Sequence, residues 1–378
     1  MGNNIMMLWQ ARILGCGATF VGVGVTRMAF TPLAAMAVSQ GLWTANAPSK
    51  IGAFLLIGYA FGAVMTPWLL KKLGTTLLLK VSLFFISTGL IFELGYKTVE
   101  SWLVTRSILG FCGACLMVCG PSLALKFGTP SERNQTQLWT FMGIGLGACV
   151  SASLLEFRAG LIAMLVPIVL FCLLFFALSL LWLKSPLNTE TTYRIFSVLP
   201  PKTLIIAYAL DAIAYIPATV YLSDYVTNEL GLHIGNILWQ LFGLGAIIGP
   251  WIATALSKKI GSSAALNLIY VFKTFALLIL AWSQQVELLA IGSMITGVCV
   301  PAIVLLTASE IRRTLEDKYF SSAWSLATLV FASAQALGAM VMALCFQLIK
   351  TYQPIFLGGA LLLFPACYLT LQSSRGKL

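Results

Sequence analysis

Charge is scarce in this sequence: Asp, Glu, Lys and Arg make up 9% of the 378 residues, and histidine occurs once, as His233. Soluble domains carry about 25% charged residues, so this chain cannot cover its own surface in water. A large soluble protein with a buried core is thereby excluded. The lone histidine leaves no material for His clusters or a Ser/His dyad, and paired acids are also missing from the apolar runs, so an intramembrane enzyme is a poor alternative. No Gly-Lys-Ser/Thr sequence of the phosphate-loop type occurs, which removes ATP as an energy source. The longest polar segment, 185–202, is too short for a signalling domain, so a membrane sensor has little room.

Nine cysteines are present, at positions 16, 112, 115, 119, 149, 172, 299, 345 and 367, all inside apolar runs. They read as small packing residues and not as a disulfide framework. Cys112-x-x-Cys115 has metal-ligand spacing but no His or carboxylate beside it, so neither a metal nor a cofactor is expected. The formal charge of +11 comes from Lys and Arg in short loops, without a basic stripe of interleaved aromatics, so no nucleic-acid partner is expected. Near the start, Ala35-Met36-Ala37 imitates a signal-peptidase site, but the preceding apolar run is long and contains Arg27; the segment is expected to remain in the protein.

What the chain does have is apolar length. Hydrophobic residues reach 59% and the mean hydropathy is +0.94. A hydrocarbon core about 30 Å thick takes about 20 helical residues to cross. Apolar runs between charged or turn-rich breaks give twelve such spans: 11–36, 50–70, 74–95, 101–125, 136–156, 159–183, 203–225, 234–256, 263–284, 288–309, 321–349 and 353–372. They lack the short, alternating pattern of barrel strands. If the N-terminus is cytoplasmic, fifteen Lys and Arg fall on that side, including Lys71, Lys72, Lys258 and Lys259, against Lys50, Lys97, Arg158 and Lys350 on the other. The positive-inside rule then places both termini in the cytoplasm of a multi-pass inner-membrane protein.

The chain also repeats itself. Leu69-Leu70-Lys71-Lys72-Leu73-Gly74-Thr75 recurs as Leu256-Ser257-Lys258-Lys259-Ile260-Gly261-Ser262, an offset of 187 that also carries Glu100 to Glu287, Gly110 to Gly297 and Cys112 to Cys299. Six spans separate the copies, so they share one orientation. Residues 1–184 are expected to form one six-helix bundle, 185–202 a cytoplasmic linker and 203–378 a second bundle. A substrate site is expected near the midplane between parallel repeats.

Twelve spans, a six-plus-six repeat and a basic, Gly-containing loop after the second span of each half resemble the major facilitator superfamily. Lys71 and Lys258 stand where that family's loop signature has an Asp, so its usual gate ion pairs should be altered or missing. The sequence is further similar to the YbfB/YjiJ-type branch. The first span of that branch, Gly-x-Gly-Arg-Phe-Ala-Tyr-Thr-Pro-Leu, is echoed by Gly24-Val25-Thr26-Arg27-Met28-Ala29-Phe30-Thr31-Pro32-Leu33. Its acidic stretch in span seven looks like Asp211-Ala212-Ile213-Ala214-Tyr215, followed by Pro217-Ala218-Thr219, and span eleven offers Phe331 and Gln335. The resemblance implies an all-α membrane protein with the major facilitator fold, two pseudo-symmetric bundles of six helices. It implies a monomeric secondary transporter working by alternating access.

Charges inside spans cost at least about 2.5–3.5 kcal/mol at the bilayer centre and normally face the bundle interior. Arg27, Lys80, Arg106, Lys273 and Asp211 qualify. Arg27 lies about sixteen residues into span one, roughly 24 Å along the helix. By the resemblance spans one and four line the cavity, so Arg27 and Arg106 are expected to share one anion through their planar forks. The competing reading is structural, with each arginine bracing helices. Asp211 reads as the only carboxylate well inside a span and a natural proton carrier. Its partner could be Arg27, or it could pack against Tyr215 or Thr219. Lys80 is near enough to a loop to snorkel, and Lys273 falls in a span that is usually peripheral in this fold. Phe30, Thr31, Tyr215, Thr219 and Gln335 complete the expected substrate or proton pathway. The expected substrate is a small organic anion, a metabolite or an iron-chelating siderophore, with proton or other ion coupling. The alternative is an exporter of drugs or toxic metabolites.

Overall fold

The structure is a computed structural model that describes residues 2–44, 46–156, 160–183 and 199–375. The expected linker lies outside these as far as residue 198. The described residues hold no strand. They form eleven helical segments long and apolar enough to cross a membrane: Met7–Ser39, Ala47–Gly95, Val99–Leu123, Ser131–Leu154, Leu161–Trp182, Lys202–Glu229, Gly235–Ile260, Ser262–Trp282, Val286–Thr314, Asp317–Ile349 and Gln353–Gln372. Ala47–Gly95 contains two spans. Its 49 residues would reach about 73 Å, more than twice a bilayer core of about 30 Å. The chain turns at Gly74, where φ is 72° and ψ is 165°. That conformation favours glycine. Spans two and three therefore meet at Gly74, and the count of twelve stands.

The repeat is written into the packing. Gly261, between spans eight and nine, has φ 81° and ψ 157°, matching Gly74 at the offset of 187. A Cβ on Gly110 would collide with the Leu55 carbonyl, and one on Gly297 with the Phe242 carbonyl. Gly58 meets the Ser107 carbonyl as Gly245 meets that of Met294, and Gly62 meets Phe111 as Gly249 meets Val298. Each pair of contacts is related by the same 187 residues. Spans two and four thus cross through the same close glycine contacts as spans eight and ten. Small residues allow this approach, and in lipid such packing replaces a hydrophobic driving force. Gly110→Ala and Gly297→Ala are each expected to cost about 1–3 kcal/mol, read as lower melting temperatures in detergent. Gly358→Ala, where a methyl group meets nothing within 4 Å, should melt like the parent.

The chain forms two compact units, Met1–Val198 with Glu316–Leu329, and Leu199–Leu315 with Val330–Leu378. The first turns of span eleven belong with the first unit because their polar groups are satisfied there. Trp324 donates to the Met117 carbonyl at 3.0 Å, Ser122 and Ser321 hydroxyls meet at 2.8 Å, and Arg133 pairs with Asp317 at 2.8 Å. Within this unit, Gly143 and Gly147 of span five seat span one closely, as their spacing suggests. A Cβ on Gly143 would meet the Cys16 carbonyl, and one on Gly147 the Cα of Gly24.

Candidate functional site

In the first unit the site begins with a widened helix. Span one is π-helical over Phe20–Met28, and the Ala29 amide reaches back five residues to the Gly24 carbonyl at 2.9 Å. π-Segments of this kind are frequent at functional sites. Gly22 and Gly24 let the segment sit against spans four and five, where ideal Cβ atoms would lie 2.8 Å from Leu116 and 2.7 Å from Gly147. Arg27 and Thr26 occupy its last turn.

Arg106, on span four, lies against this turn. Its guanidinium donates to the Thr26 carbonyl at 3.1 Å and to Glu93 Oε2, on span three, at 2.7 Å. Both side chains of the ion pair are 0% exposed. The guanidinium carbon lies 4.8 Å from the Trp102 ring centroid and 5.2 Å from that of Phe30. Thr105 donates to the other Glu93 oxygen at 3.0 Å. Arg106 therefore ties spans one, three and four together, and its charge is already neutralised. This corrects two expectations. Arg106 does not present a fork for a shared anion, and Asp211 is not the only carboxylate within a span. Phe30 is engaged with Arg106, and Thr31 is exposed.

Arg27 is half-buried, with its guanidinium carbon 4.6 Å from the centroid of Tyr59, a buried ring of span two. Tyr59 also lies beside the Gly110 crossing, since a Cβ on Gly110 would sit 3.0 Å from its amide nitrogen. The glycine contact thus sets the wall against which Arg27 rests.

In the second unit the central feature is a buried pair. Lys273 Nζ, on span nine, donates to Asp211 Oδ1, on span seven, at 2.6 Å, with the two side chains 1% and 3% exposed. The partner of Asp211 is thus Lys273, not Arg27, and Lys273 is not peripheral to the site. Opposite charges hold each other where water cannot. Lys273 Nζ also lies 5.9 Å from the Tyr215 ring centroid. Tyr208 and Tyr215 pack on Phe331 of span eleven, at 4.7 and 6.1 Å between centroids. Gln335, one turn beyond, is buried. Thr219 spends its hydroxyl on the Tyr215 carbonyl at 2.8 Å, so it does not replace Lys273 as the acid's partner. Span seven is π-helical at Pro217–Tyr221 and again at Tyr225–Glu229, beyond the acid.

The basic loops are exposed at Lys71, Lys72, Lys258 and Lys259, and Lys72 Nζ lies 4.2 Å from the Trp68 ring centroid. Beside the second loop, Glu310 accepts from the Ser262 hydroxyl and pairs with Arg313 at 2.7 Å. The repeat places Leu123 and Lys126 where Glu310 and Arg313 stand. Burial pulls the half-buried Lys126 ammonium down to about 8. The loop electrostatics thus differ between the halves. Lys80 donates to the Leu183 carbonyl at 2.7 Å, a cation capping the end of span six.

Sequence reasoning missed Glu93, and it undervalued Lys273. A signal for the first existed: Glu93 and Arg106 flank the short turn Tyr96-Lys97-Thr98, which brings adjacent spans together. Nothing comparable joins Asp211 and Lys273, 62 residues apart.

The family model described as "Uncharacterised MFS-type transporter YbfB" matches residues 19–371. None of the curated proteins matches significantly. Solved structures of similar fold include the human organic anion transporter MFSD10 (TETRAN), at 14% identity and TM-score 0.73, covering 97% of this chain and 98% of that one. The E. coli fucose:proton symporter FucP matches at 14% identity and TM-score 0.70, covering 95% and 97%. A bacterial homologue of the iron transporter ferroportin, in its outward-facing state, matches at 16% and 0.70, covering 98% and 99%. At these identities the structures speak for the fold alone, while the family match spans nearly the whole sequence. The chain belongs to the YbfB-type family of the major facilitator superfamily, and is a multi-pass membrane transporter.

Proposed function

We propose that this transporter is a secondary active carrier of a small organic anion, coupled to protons through Asp211. The observation that carries the coupling is the Asp211–Lys273 pair, 2.6 Å long and buried. A proton arriving on Asp211 cancels its charge and releases Lys273, so protonation and helix contact are linked at one bond. The anion reading rests on Arg27, a half-buried guanidinium held over the Tyr59 ring at the end of a π-helical segment. Similarity of fold to an organic anion transporter and a proton symporter agrees with both parts. The distribution of Lys and Arg supports a protein of the inner membrane with both termini cytoplasmic. The proposed organisation is two six-helix bundles, 1–184 and 203–378, joined by 185–202, acting as a monomer.

The experiment is a thermal-shift screen of purified protein against lactate, succinate, citrate and sugar phosphates, followed by uptake of the stabilising anion into proteoliposomes. Uptake should follow an imposed pH gradient. Arg27→Ala removes a charge-assisted hydrogen bond, about 1.5–3 kcal/mol, so it should raise the half-saturating concentration by roughly tenfold or more. Arg27→Lys keeps the charge but loses the fork, and should impair uptake less. Normal uptake by both variants would remove Arg27 from the substrate site, and uptake indifferent to the pH gradient would remove proton coupling.

A further inference from the structure

Tyr270 is fully buried on span nine, and its hydroxyl has no hydrogen-bond partner among the described residues. It sits three residues before Lys273, and residues at that spacing share a helix face. Lys273 in turn holds Asp211 at 2.6 Å, so Tyr270 lies on the face of span nine that is turned to the acid. A buried hydroxyl without a partner is costly, and a native structure that keeps one calls for a reason. The surrounding groups offer little competition for it. Thr219 is bonded to the Tyr215 carbonyl, Cys299 of span ten to the Ile269 carbonyl at 3.6 Å, and the rings of Tyr208 and Tyr215 pack tilted and edge-on against Phe331. Cys367 of span twelve is the remaining titratable neighbour.

We infer that Tyr270 is a positioning residue for Asp211: its hydroxyl donates to the carboxylate after the acid gives up its proton and before Lys273 returns. The inference deepens the proposed coupling role of Asp211 and rests on it. Between loss of that proton and the return of Lys273, the carboxylate stands without a counter-charge in a medium that cannot solvate it. A donor held in reserve nearby prevents this, and Tyr270 is a donor whose bond is unspent. No covalent bond changes: one hydrogen bond to Asp211 replaces another. The arrangement also accounts for the missing partner in the state described here, because Lys273 already occupies the acid.

The test uses the full chain in detergent, with the proton itself as probe. Infrared titration follows the carbonyl stretch of protonated carboxyls, and the band lost in Asp211→Asn/Lys273→Met is assigned to Asp211. Tyr270→Phe alone should leave the midpoint of that band unchanged, because Lys273 still holds the acid. Lys273→Met should move the midpoint to higher pH. Adding Tyr270→Phe to Lys273→Met should move it further, by about one pH unit, a tenfold change in proton affinity. The non-additivity is the signature, since contacting groups couple and distant ones do not. If Tyr270→Phe adds nothing in the Lys273→Met background and merely raises thermal stability, Tyr270 has no such role. Proton-driven uptake surviving in Asp211→Asn/Lys273→Met would instead defeat the coupling reading, whatever the titration shows for Tyr270.

Discussion

Asp211→Asn is expected to abolish proton-driven accumulation and to destabilise the protein by about 3–5 kcal/mol, because it strands Lys273 without its counter-charge. The loss of stability complicates the single variant, since a misfolded carrier also fails to accumulate. Asp211→Asn combined with Lys273→Met removes both charges and should recover most of the lost stability. The two readings of the pair separate at this point. A pair that only joins spans seven and nine predicts that accumulation returns along with stability. A coupling pair predicts a stable carrier that exchanges its anion down a gradient and no longer concentrates it. Melting temperature and uptake with and without a pH gradient measure the two quantities independently. Restored accumulation in the double variant would leave Asp211 a structural residue.

Arg106→Ala should cost a similar amount, about 3–5 kcal/mol, for the same reason: Glu93 is left charged in a site with 0% exposure. The expected outcome of the neutral pair is the opposite one. Glu93→Leu with Arg106→Leu should recover stability and also retain accumulation, because this pair ties helices without facing a ligand. A partial effect remains, since Arg106 also holds the Thr26 carbonyl next to Arg27. The double variant should therefore raise the half-saturating anion concentration more than it lowers the maximal rate. Arg106→Lys is not conservative here: a point-like ammonium cannot reach Glu93 and Thr26 together while keeping contact with the Trp102 and Phe30 rings. An Arg106→Ala variant that melts like the parent would show that the pair contributes nothing.

Comparison of the two pairs shows where sequence reasoning stops. The spans, their number and their repeat follow from local rules. About twenty apolar residues cross a bilayer, a glycine with positive φ ends a helix, and a small residue allows a close crossing. These properties act within a few residues of chain. Gly74 and Gly261, or Gly110 and Gly297, can therefore be matched by counting. The family resemblance likewise lay in contiguous motifs around Arg27 and Asp211, and the family match bore it out.

Charge pairing is a different kind of information. A charge within a span must find an opposite charge, a carbonyl, an aromatic face or a polar cavity, but the partner can sit on any neighbouring span. Arg27 and Arg106 looked alike in sequence, two guanidiniums at similar depth in one bundle. Packing separated them: Glu93 and Thr26 claimed Arg106, whereas Arg27 came to rest, half-buried, on Tyr59. Lys273 falls in a span that reads as peripheral in sequence, yet span nine brings it to Asp211. Tyr270 carried no signal at all, because an unpartnered hydroxyl exists only once everything around it has been placed. By itself the sequence determined that this is a membrane transporter of twelve spans with charges at named positions. Only the tertiary structure decided which of those charges cancel, because electrostatic partnership in a low-dielectric interior depends on distances of a few ångströms between distant parts of the chain.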